Sequence, residues 1–252
     1  MLTGYNNADM ADALMFLPVF NQINEIQLVV SEIREEGPND VDFLLFDNGS
    51  TDGTSEVIAT SGLPFLSVEH NQGIGHSYGL ALDWAKARDY RFFGTMAGNG
   101  KMLPREIPRL LNPLRSGAAH YVTGSRFLPG GSYPNLPGFR RWAIPAVNFF
   151  AWLMTGKRLT DSTNGFRAFR LELLNSLELG APWMKTYGFE YYIYAKALLD
   201  HRVVCFEVPS TMRYPESGSY SKIRPGADWF AMLRPWWSAR FDRRSLGSLP
   251  WN

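Results

Sequence analysis

Apolar residues follow two alternating rhythms along the chain. Ala13 to Phe20 and Val41 to Phe46 are continuous apolar runs, the pattern of strands buried on both faces of a parallel sheet. Between them Ile26, Val29, Val30 and Ile33 recur at helical spacing, and the segment stops at Gly37-Pro38. The alternation continues with a short helix over Ser55 to Ala59, a strand over Pro64 to Val68, a helix over about Gly75 to Arg88 and a strand over Arg91 to Met96. A helix over Pro104 to Arg115 and a strand over Tyr121 to Gly124 follow. This order predicts an α/β fold: an open, mostly parallel sheet with helices on both faces. Such sheets bind ligands beyond the carboxyl ends of their strands. Four polar loops fall there: Asn21-Gln22, Asp47 to Thr54, Asn71 to Gly79 and Ala97 to Lys101.

From about Pro129 the character changes. Gly130, Gly131, Pro134, Pro137 and Gly138 make a loop, then aromatic helices, a loop at Thr160 to Phe166, a helix around Tyr187 to Leu199 and a strand at Val203 to Val208 follow. We expect one domain with a ligand-binding half over about 13–125, an acceptor half over about 126–222 and an amphipathic aromatic and arginine tail over 223–252.

Composition narrows the class. With 252 residues, 45% of them apolar, the chain has enough to bury a large core. A formal net charge of +1 argues against a nucleic-acid binder. The single cysteine, Cys205, sits in an apolar run without a motif around it, excludes an intramolecular disulfide and reads as core. No signal peptide and no run of eighteen or more apolar residues is apparent. The expected location is cytoplasmic, free or peripheral on the inner membrane face.

The loop Asp47-Asn48-Gly49-Ser50-Thr51-Asp52-Gly53-Thr54 follows a buried strand and precedes a helix. It reads either as an ordinary strand-to-helix turn, with Asp52 or Thr54 capping the helix, or as a site where Asp47 accepts hydrogen bonds from a base or ribose. Asn71-Gln72-Gly73-Ile74-Gly75-His76 has the glycines of a phosphate loop, which alone is a weak signal. His76 reads as a solvated or capping residue.

In order, Pro18-Val19-Phe20-Asn21, Asp47 to Thr54 and Asn71 to Gly75 resemble the nucleotide-sugar motifs of family 2 glycosyltransferases. Gly124-Ser125-Arg126-Phe127, Asp161 to Phe169 and Glu207-Val208-Pro209 resemble the dolichyl-phosphate mannose synthase branch, with a looser match at Gly218 and Ser221-Lys222. The resemblance implies a GT-A fold and inverting transfer from a GDP- or UDP-linked sugar to an acceptor, usually a polyprenyl phosphate. It assigns Pro18, Phe20, Gln22, Asp47, Ser50, Asp52, Gly75 and Asn99 to the donor, with Asp47 holding the base. A phosphate nucleophile is already ionised and requires no strong base.

Departures from the family bear on the chemistry. Met96-Ala97-Gly98-Asn99-Gly100-Lys101 stands where the family has Asp-x-Asp, at positions 97 and 99, to hold Mg²⁺ or Mn²⁺ against the diphosphate. Ala97 cannot ligate and Asn99 is a weak, neutral metal ligand. Lys101 is then either a solvated lysine or a resident cation that neutralises the leaving diphosphate, with metal weakly bound or absent. An ammonium about 4 Å from a phosphate oxygen gains roughly 4 kcal/mol at an effective dielectric of about 20. Gln22 replaces a glutamate, Pro145 replaces a serine four residues after Arg141, and Pro215 takes the place of an arginine, with Arg213 two residues earlier.

On the acceptor side Arg126, Arg141 and Arg167 are arginines suited to phosphate oxygens. Asp161 either orients the acceptor or holds the loop to Arg167. Glu190 is either a base for a hydroxyl acceptor or a helix-start carboxylate. The tail interleaves Trp229, Phe230, Met232, Leu233, Trp236, Trp237 and Phe241 with Arg224, Arg234, Arg240, Arg243 and Arg244. That pattern fits a helix in a membrane interface, docking on the same domain, or a homodimer contact. Two further readings remain open: transfer to a small soluble hydroxyl acceptor, and a catalytically degenerate protein that binds a nucleotide or partner.

Overall fold

The computed structural model describes residues 11–175, 182–185, 188–215 and 227–242, the side chains of 182–183 and 227–231 excepted. Among these residues seven strands form one sheet: β1 (Ala13–Val19), β2 (Asp42–Asn48), β3 (Phe65–Val68), β4 (Phe92–Thr95), β5 (Tyr121–Ser125), β6 (Arg167–Arg170) and β7 (Cys205–Pro209). Their order is β3-β2-β1-β4-β6-β5-β7. All pairings are parallel except those of β6, which runs antiparallel between β4 and β5.

Among the described residues seven α-helices accompany the sheet: α1 (Ile23–Glu36), α2 (Thr54–Thr60), α3 (Ile74–Lys86), α4 (Ile107–Arg115), α5 (Gly138–Thr155), α6 (Gly188–Leu199) and α7 (Ala227–Phe241). The α1 positions read from spacing, Ile26, Val29, Val30 and Ile33, are the four it buries. Pro104 opens a separate 3-10 turn ahead of α4, because proline lacks the N–H and suits a first turn.

Side-chain alternation along the strands builds a core on each face. Leu14, Phe16, Leu44, Phe46, Phe93 and Phe169 face α3 and α6. Met15, Leu17, Leu45, Phe92 and Ala168 face α1 and α4. In α7, Trp236 is fully buried and packs on Tyr191 and Tyr194 of α6, at ring separations of 6.1 and 5.8 Å. This part of the tail therefore docks on its own domain. Gly218, Ser221, Lys222, Arg224, Arg243 and Arg244, and the side chains of Trp229 and Phe230, lie outside the described residues.

Chain order reverses between β1 and β4, so the loops leaving these two strands diverge around a crevice at their carboxyl ends. The β4 loop lies tight on β1. The N–H of Gly98 donates to the Pro18 carbonyl at 3.2 Å, and a Cβ at Gly98 would stand 2.6 Å from Val19 Cγ2.

Candidate active site

On the β2 side of the crevice, hydrogen bonds tie three loops together. Asn21, in the left-handed region at φ 51°, donates its N–H to Ser50 Oγ at 3.0 Å and accepts from Thr51 N–H at 2.8 Å. Gln22 N–H donates to Thr54 Oγ1 at 2.9 Å. Asp52 accepts from the N–H groups of Ile23 and Thr54, at 3.2 and 3.1 Å. Burial opposes its charge, but the bonds from Thr54 and Ile23 win and hold its carboxyl below the usual range. Asp52 thus caps the starts of two helices, the local alternative open in the sequence. Gly49, at φ +74°, turns directly against the His70-Asn71 backbone, and Asn48 Nδ2 donates to Asn71 Oδ1 at 3.2 Å.

Asp47 lies next to the end of β2, buried, accepting from Ser50 N–H at 3.0 Å and from the Ser55 hydroxyl. It lines a cavity of about 470 Å³ with Gly49, Ser50, Ser55, Phe65 and Glu69. Apolar walls with a few placed polar groups are the usual lining of a small-molecule pocket. Pro18 stands opposite Phe46 in the β1–β2 register, and Phe20 and Gln22 continue from it beside this loop.

Gly75 packs tightly against a neighbouring segment. Its hydrogen points at Met184: a Cβ there would lie 1.8 Å from the Met184 carbonyl oxygen. The glycine permits close packing of α3 against the 182–185 turn.

The three motifs of the acceptor half meet in one buried cluster. Arg126 is 1% exposed and Asp161 0%. Nε of Arg126 donates to Asp161 Oδ2 at 2.6 Å, and Nη2 donates to Asp161 Oδ1 at 2.6 Å and Thr163 Oγ1 at 2.6 Å. Nη1 donates to the Tyr214 hydroxyl and faces Met212 Sδ at 3.5 Å. Every N–H of this guanidinium is engaged. Glu207 accepts the N–H groups of Thr160 and Asp161, at 2.8 and 2.9 Å. Arg167 donates to the carbonyls of Asn164 and Ser162 at 2.5 and 2.8 Å and lies over the Tyr194 ring, 4.6 Å from its centroid. Burial works against its charge, yet Tyr121 and Glu190 raise its pKa. Direct contact of Arg126 and Arg167 with an acceptor phosphate is therefore not what this geometry arranges: their donors hold the 160–167 loop. Asp161 likewise holds that loop.

Glu190 has its Oε1 buried without a hydrogen-bond partner among the described residues. Burial raises its pKa, with Arg167 acting against the rise. A Cβ at Gly165 would lie 3.5 Å from that oxygen. Cys205 is half-buried and packs against the core on the α3 and α6 face, where burial pushes its thiol up to about 12.

The β4 loop is built without carboxylates. Asn99 Oδ1 accepts from the Lys101 N–H at 3.3 Å, closing its own turn, and Gly100 follows at φ +67°. Among the described residues no group of three or more His, Cys, Asp or Glu could hold a metal ion. The donor set at Ala97 and Asn99 does not fit Mg²⁺ or Mn²⁺, which take several hard oxygen ligands. Arg213 forms a bidentate pair with Glu32 at 2.7 and 2.7 Å, donates to the Gly100 carbonyl at 2.6 Å, and its N–H donates to the Lys101 carbonyl at 2.8 Å. It clamps this loop and does not face the acceptor cluster.

Tyr214 and Arg140 escaped the sequence reading. Tyr214 is buried, and its ring lies 5.8 Å from Lys101 Nζ and 5.6 Å from Arg140 Cζ. Arg140 carried no signal beyond flanking an apolar run.

Comparison with known proteins agrees with this architecture. The family model "Glycosyl transferase family 2" matches residues 15–177. The chain is 34% identical over 219 residues to undecaprenyl-phosphate mannosyltransferase of Micrococcus luteus, covering 84% of this chain and 88% of that protein. Identity is 30% over 211 residues to polyprenol monophosphomannose synthase of Mycolicibacterium smegmatis, covering 81% and 78%. Among solved structures, glucosyl-3-phosphoglycerate synthase of Mycobacterium tuberculosis, in complex with Mn²⁺, UDP-glucose and phosphoglyceric acid, superposes with a TM-score of 0.64 at 20% identity, covering 95% of this chain and 85% of that one. The fold is that of the GT-A glycosyltransferases. With a family model spanning most of the sheet and relatives matched along most of their length, this chain belongs to glycosyl transferase family 2 and is a glycosyltransferase.

Proposed function

We propose that the protein transfers a sugar, mannose in the first instance, from a GDP- or UDP-linked donor to the phosphate of a polyprenyl phosphate. The observation that carries this reading is the 34% identity to an undecaprenyl-phosphate mannosyltransferase over 84% of the chain. The Asp47 cavity at the end of β2 suits the base of the donor. An acceptor phosphate oxygen attacks the anomeric carbon as the bond from that carbon to the diphosphate oxygen breaks. The electron pair leaves with the nucleoside diphosphate, and configuration inverts. The chief demand on the protein is stabilisation of the departing negative charge. Since Ala97 and Asn99 make a poor metal site, we assign this demand to protein cations, Lys101 first among them.

Acceptors of this class reside in bilayers, and α5 provides a face for one. Phe139, Trp142, Phe149 and Leu153 repeat at helical spacing and are 57%, 83%, 61% and 59% exposed. No acidic residue occurs in α5, and exposed Arg141, Lys157 and Arg158 flank the stripe. An apolar stripe bordered by cations suits an anionic interface. Among the described residues no helix is long and apolar enough to cross a membrane, and the α5 stripe supports contact with a bilayer surface.

The test is a product assay by mass spectrometry with GDP-mannose, UDP-glucose and UDP-N-acetylglucosamine, each offered with a polyprenyl phosphate in vesicles. A glycosyl phosphoprenol from one donor is expected. Donor binding without any product would favour a degenerate, nucleotide-binding protein instead.

A further inference from the structure

Glu190, in the first turn of α6, holds a carboxylate oxygen that the rest of the fold does not use. Its Oε1 is sealed from solvent and has no hydrogen-bond partner among the described residues. Arg167 is the cation acting on this carboxyl, but the Arg167 donors go to backbone. Nε and Nη2 donate to the Asn164 and Ser162 carbonyls, and Nη1 faces the Glu190 carbonyl at 3.5 Å. A buried acceptor without a donor costs the desolvation of that oxygen. Such an orphan in a folded protein calls for a water, an ion or a ligand.

A gap lies beside that oxygen. A Cβ at Gly165 would make only ordinary contacts, 3.5 and 3.7 Å from the two Glu190 oxygens and 3.8 Å from Met102 Cε. The missing methyl therefore marks a space bounded by the Glu190 carboxyl and by Met102. Sδ of Met102 faces the Ala97 N–H at 3.3 Å, so that wall belongs to the β4 loop. Glu190 also lies close enough for its charge to act on Tyr78 and Arg167. Tyr78 is bonded through its hydroxyl to Thr95 at 2.6 Å, and Thr95 stands opposite Arg167 at the carboxyl end of β4. The gap is thus at that strand end, beside the loop that faces the diphosphate in the sugar-donor reading. Glu190 and Gly165 are each half-buried, so solvent reaches this corner.

Charge narrows the occupant. A carboxylate repels the diphosphate of the sugar donor and the phosphate of the acceptor, and among the described residues no group of three or more His, Cys, Asp or Glu could hold a metal ion. What fits is a neutral group that donates a hydrogen bond. In the proposed reaction such groups belong to the base and ribose, assigned to the Asp47 side, and to the transferred sugar. We propose that Glu190 accepts a hydrogen bond from a hydroxyl of the transferred sugar, seated in the gap that Gly165 leaves beside Met102, and so selects which sugar is moved. This rests on the glycosyltransferase reading and deepens it. The hydroxyl keeps its proton throughout, so Glu190 determines specificity and is not a base. A site that pairs a buried group with a substrate hydroxyl rejects analogues lacking it, because the protein group is then left without a partner.

The test is titration calorimetry on the full chain, with and without Mn²⁺. The probes are GDP-mannose, UDP-glucose, UDP-N-acetylglucosamine, GDP and UDP, then analogues of the preferred sugar donor that each lack one sugar hydroxyl. Glu190→Ala and Gly165→Ala are compared with the parent, with circular dichroism and a melting curve to confirm folding. Glu190→Gln keeps the side chain's shape and is read in the same way should Glu190→Ala not fold. In the parent, loss of one particular hydroxyl is expected to weaken binding about tenfold or more. In Glu190→Ala the same loss has little further effect, while the nucleoside diphosphate binds as before. Gly165→Ala, whose methyl fits the gap, weakens the nucleotide sugar and spares the nucleoside diphosphate at an unchanged melting temperature. A merely structural role would weaken every ligand alike and leave the two losses additive. Additive losses, or nucleotide-sugar binding unchanged in Glu190→Ala, overturn the assignment and leave the glycosyltransferase reading standing. No binding of any nucleotide sugar by the parent in either condition overturns both.

Discussion

Arg126 and Asp161 form a bidentate ion pair sealed inside the protein, with Nε to Oδ2 and Nη2 to Oδ1 both at 2.6 Å and 1% and 0% of the side chains exposed. Burial alone would disfavour the arginine's charge, but Asp161 outweighs it and raises the Arg126 pKa. The pair joins the end of β5 to the start of the 160–167 loop, and Glu207 of β7 fastens the same loop from the other side. Three motifs far apart in sequence are thereby one structural unit. Removing one partner from such a pair leaves a buried charge without compensation, at a cost of about 3–5 kcal/mol. Arg126→Ala and Asp161→Asn are each expected to lose stability on this scale in urea unfolding. Unchanged stability in both, with activity lost, would mean that the pair serves the acceptor directly.

The same reasoning separates packing from binding at Gly75. Its missing Cβ leaves room for the Met184 carbonyl, so Gly75→Ala forces α3 from its neighbour. Overpacking of this kind costs about 1–3 kcal/mol, occasionally more. The expected signature is a lower melting temperature with donor KM unchanged in the protein that remains folded. A raised donor KM at unaltered stability would assign Gly75 to donor contact instead.

Much of the framework was legible because burial writes itself into spacing. The β1 and β2 runs, and the four buried positions of α1, needed only periodicity. Strand β6 did not follow from it. Arg167-Ala168-Phe169-Arg170 offers one alternation bounded by arginines, and its antiparallel place between β4 and β5 depends on Ala168 and Phe169 reaching opposite cores. Arg167 read as a phosphate ligand because a buried arginine and an acceptor-facing one look alike in sequence. The difference is made by the carbonyls of Ser162 and Asn164 and the rings of Tyr191 and Tyr194. Nor could any spacing rule join Lys101, Arg140 and Tyr214, which come from three separate segments.

The α5 stripe makes a prediction about where the enzyme works. Burying a large apolar side chain is worth about 1.5–3 kcal/mol, so two lost anchors lower vesicle affinity by about a hundredfold or more. Trp142→Glu combined with Phe149→Glu is expected to abolish co-sedimentation with anionic vesicles. Turnover of a short, detergent-solubilised polyprenyl phosphate should survive. Both residues are largely exposed, so the fold should be unaffected. Full vesicle binding by the double variant would overturn this assignment. A change of sedimentation coefficient in the parent without lipid would point to a second copy as the occupant.

Lys101 gives the reaction a defined alkaline limit. Burial, and then the charge of Arg140, lower its pKa to about 8, with Glu25 pulling the other way. Among the described residues, Arg126 beyond Tyr214 and the Arg213–Glu32 pair beneath the loop also belong to its charged surroundings. Arginines stay protonated throughout, so a change near that pH belongs to the lysine. Below about 8 the ammonium is present, and as pH rises through 8 it is lost. If the ammonium neutralises the leaving diphosphate, kcat/KM, which reports the free enzyme, falls on an alkaline limb near that value. Bound diphosphate favours the charged lysine, so the limb in kcat shifts to higher pH. Lys101→Arg should abolish the limb, because a guanidinium does not titrate there. A parent enzyme whose kcat/KM stays flat to pH 10 would leave Lys101 as a loop lysine with no charge in the reaction.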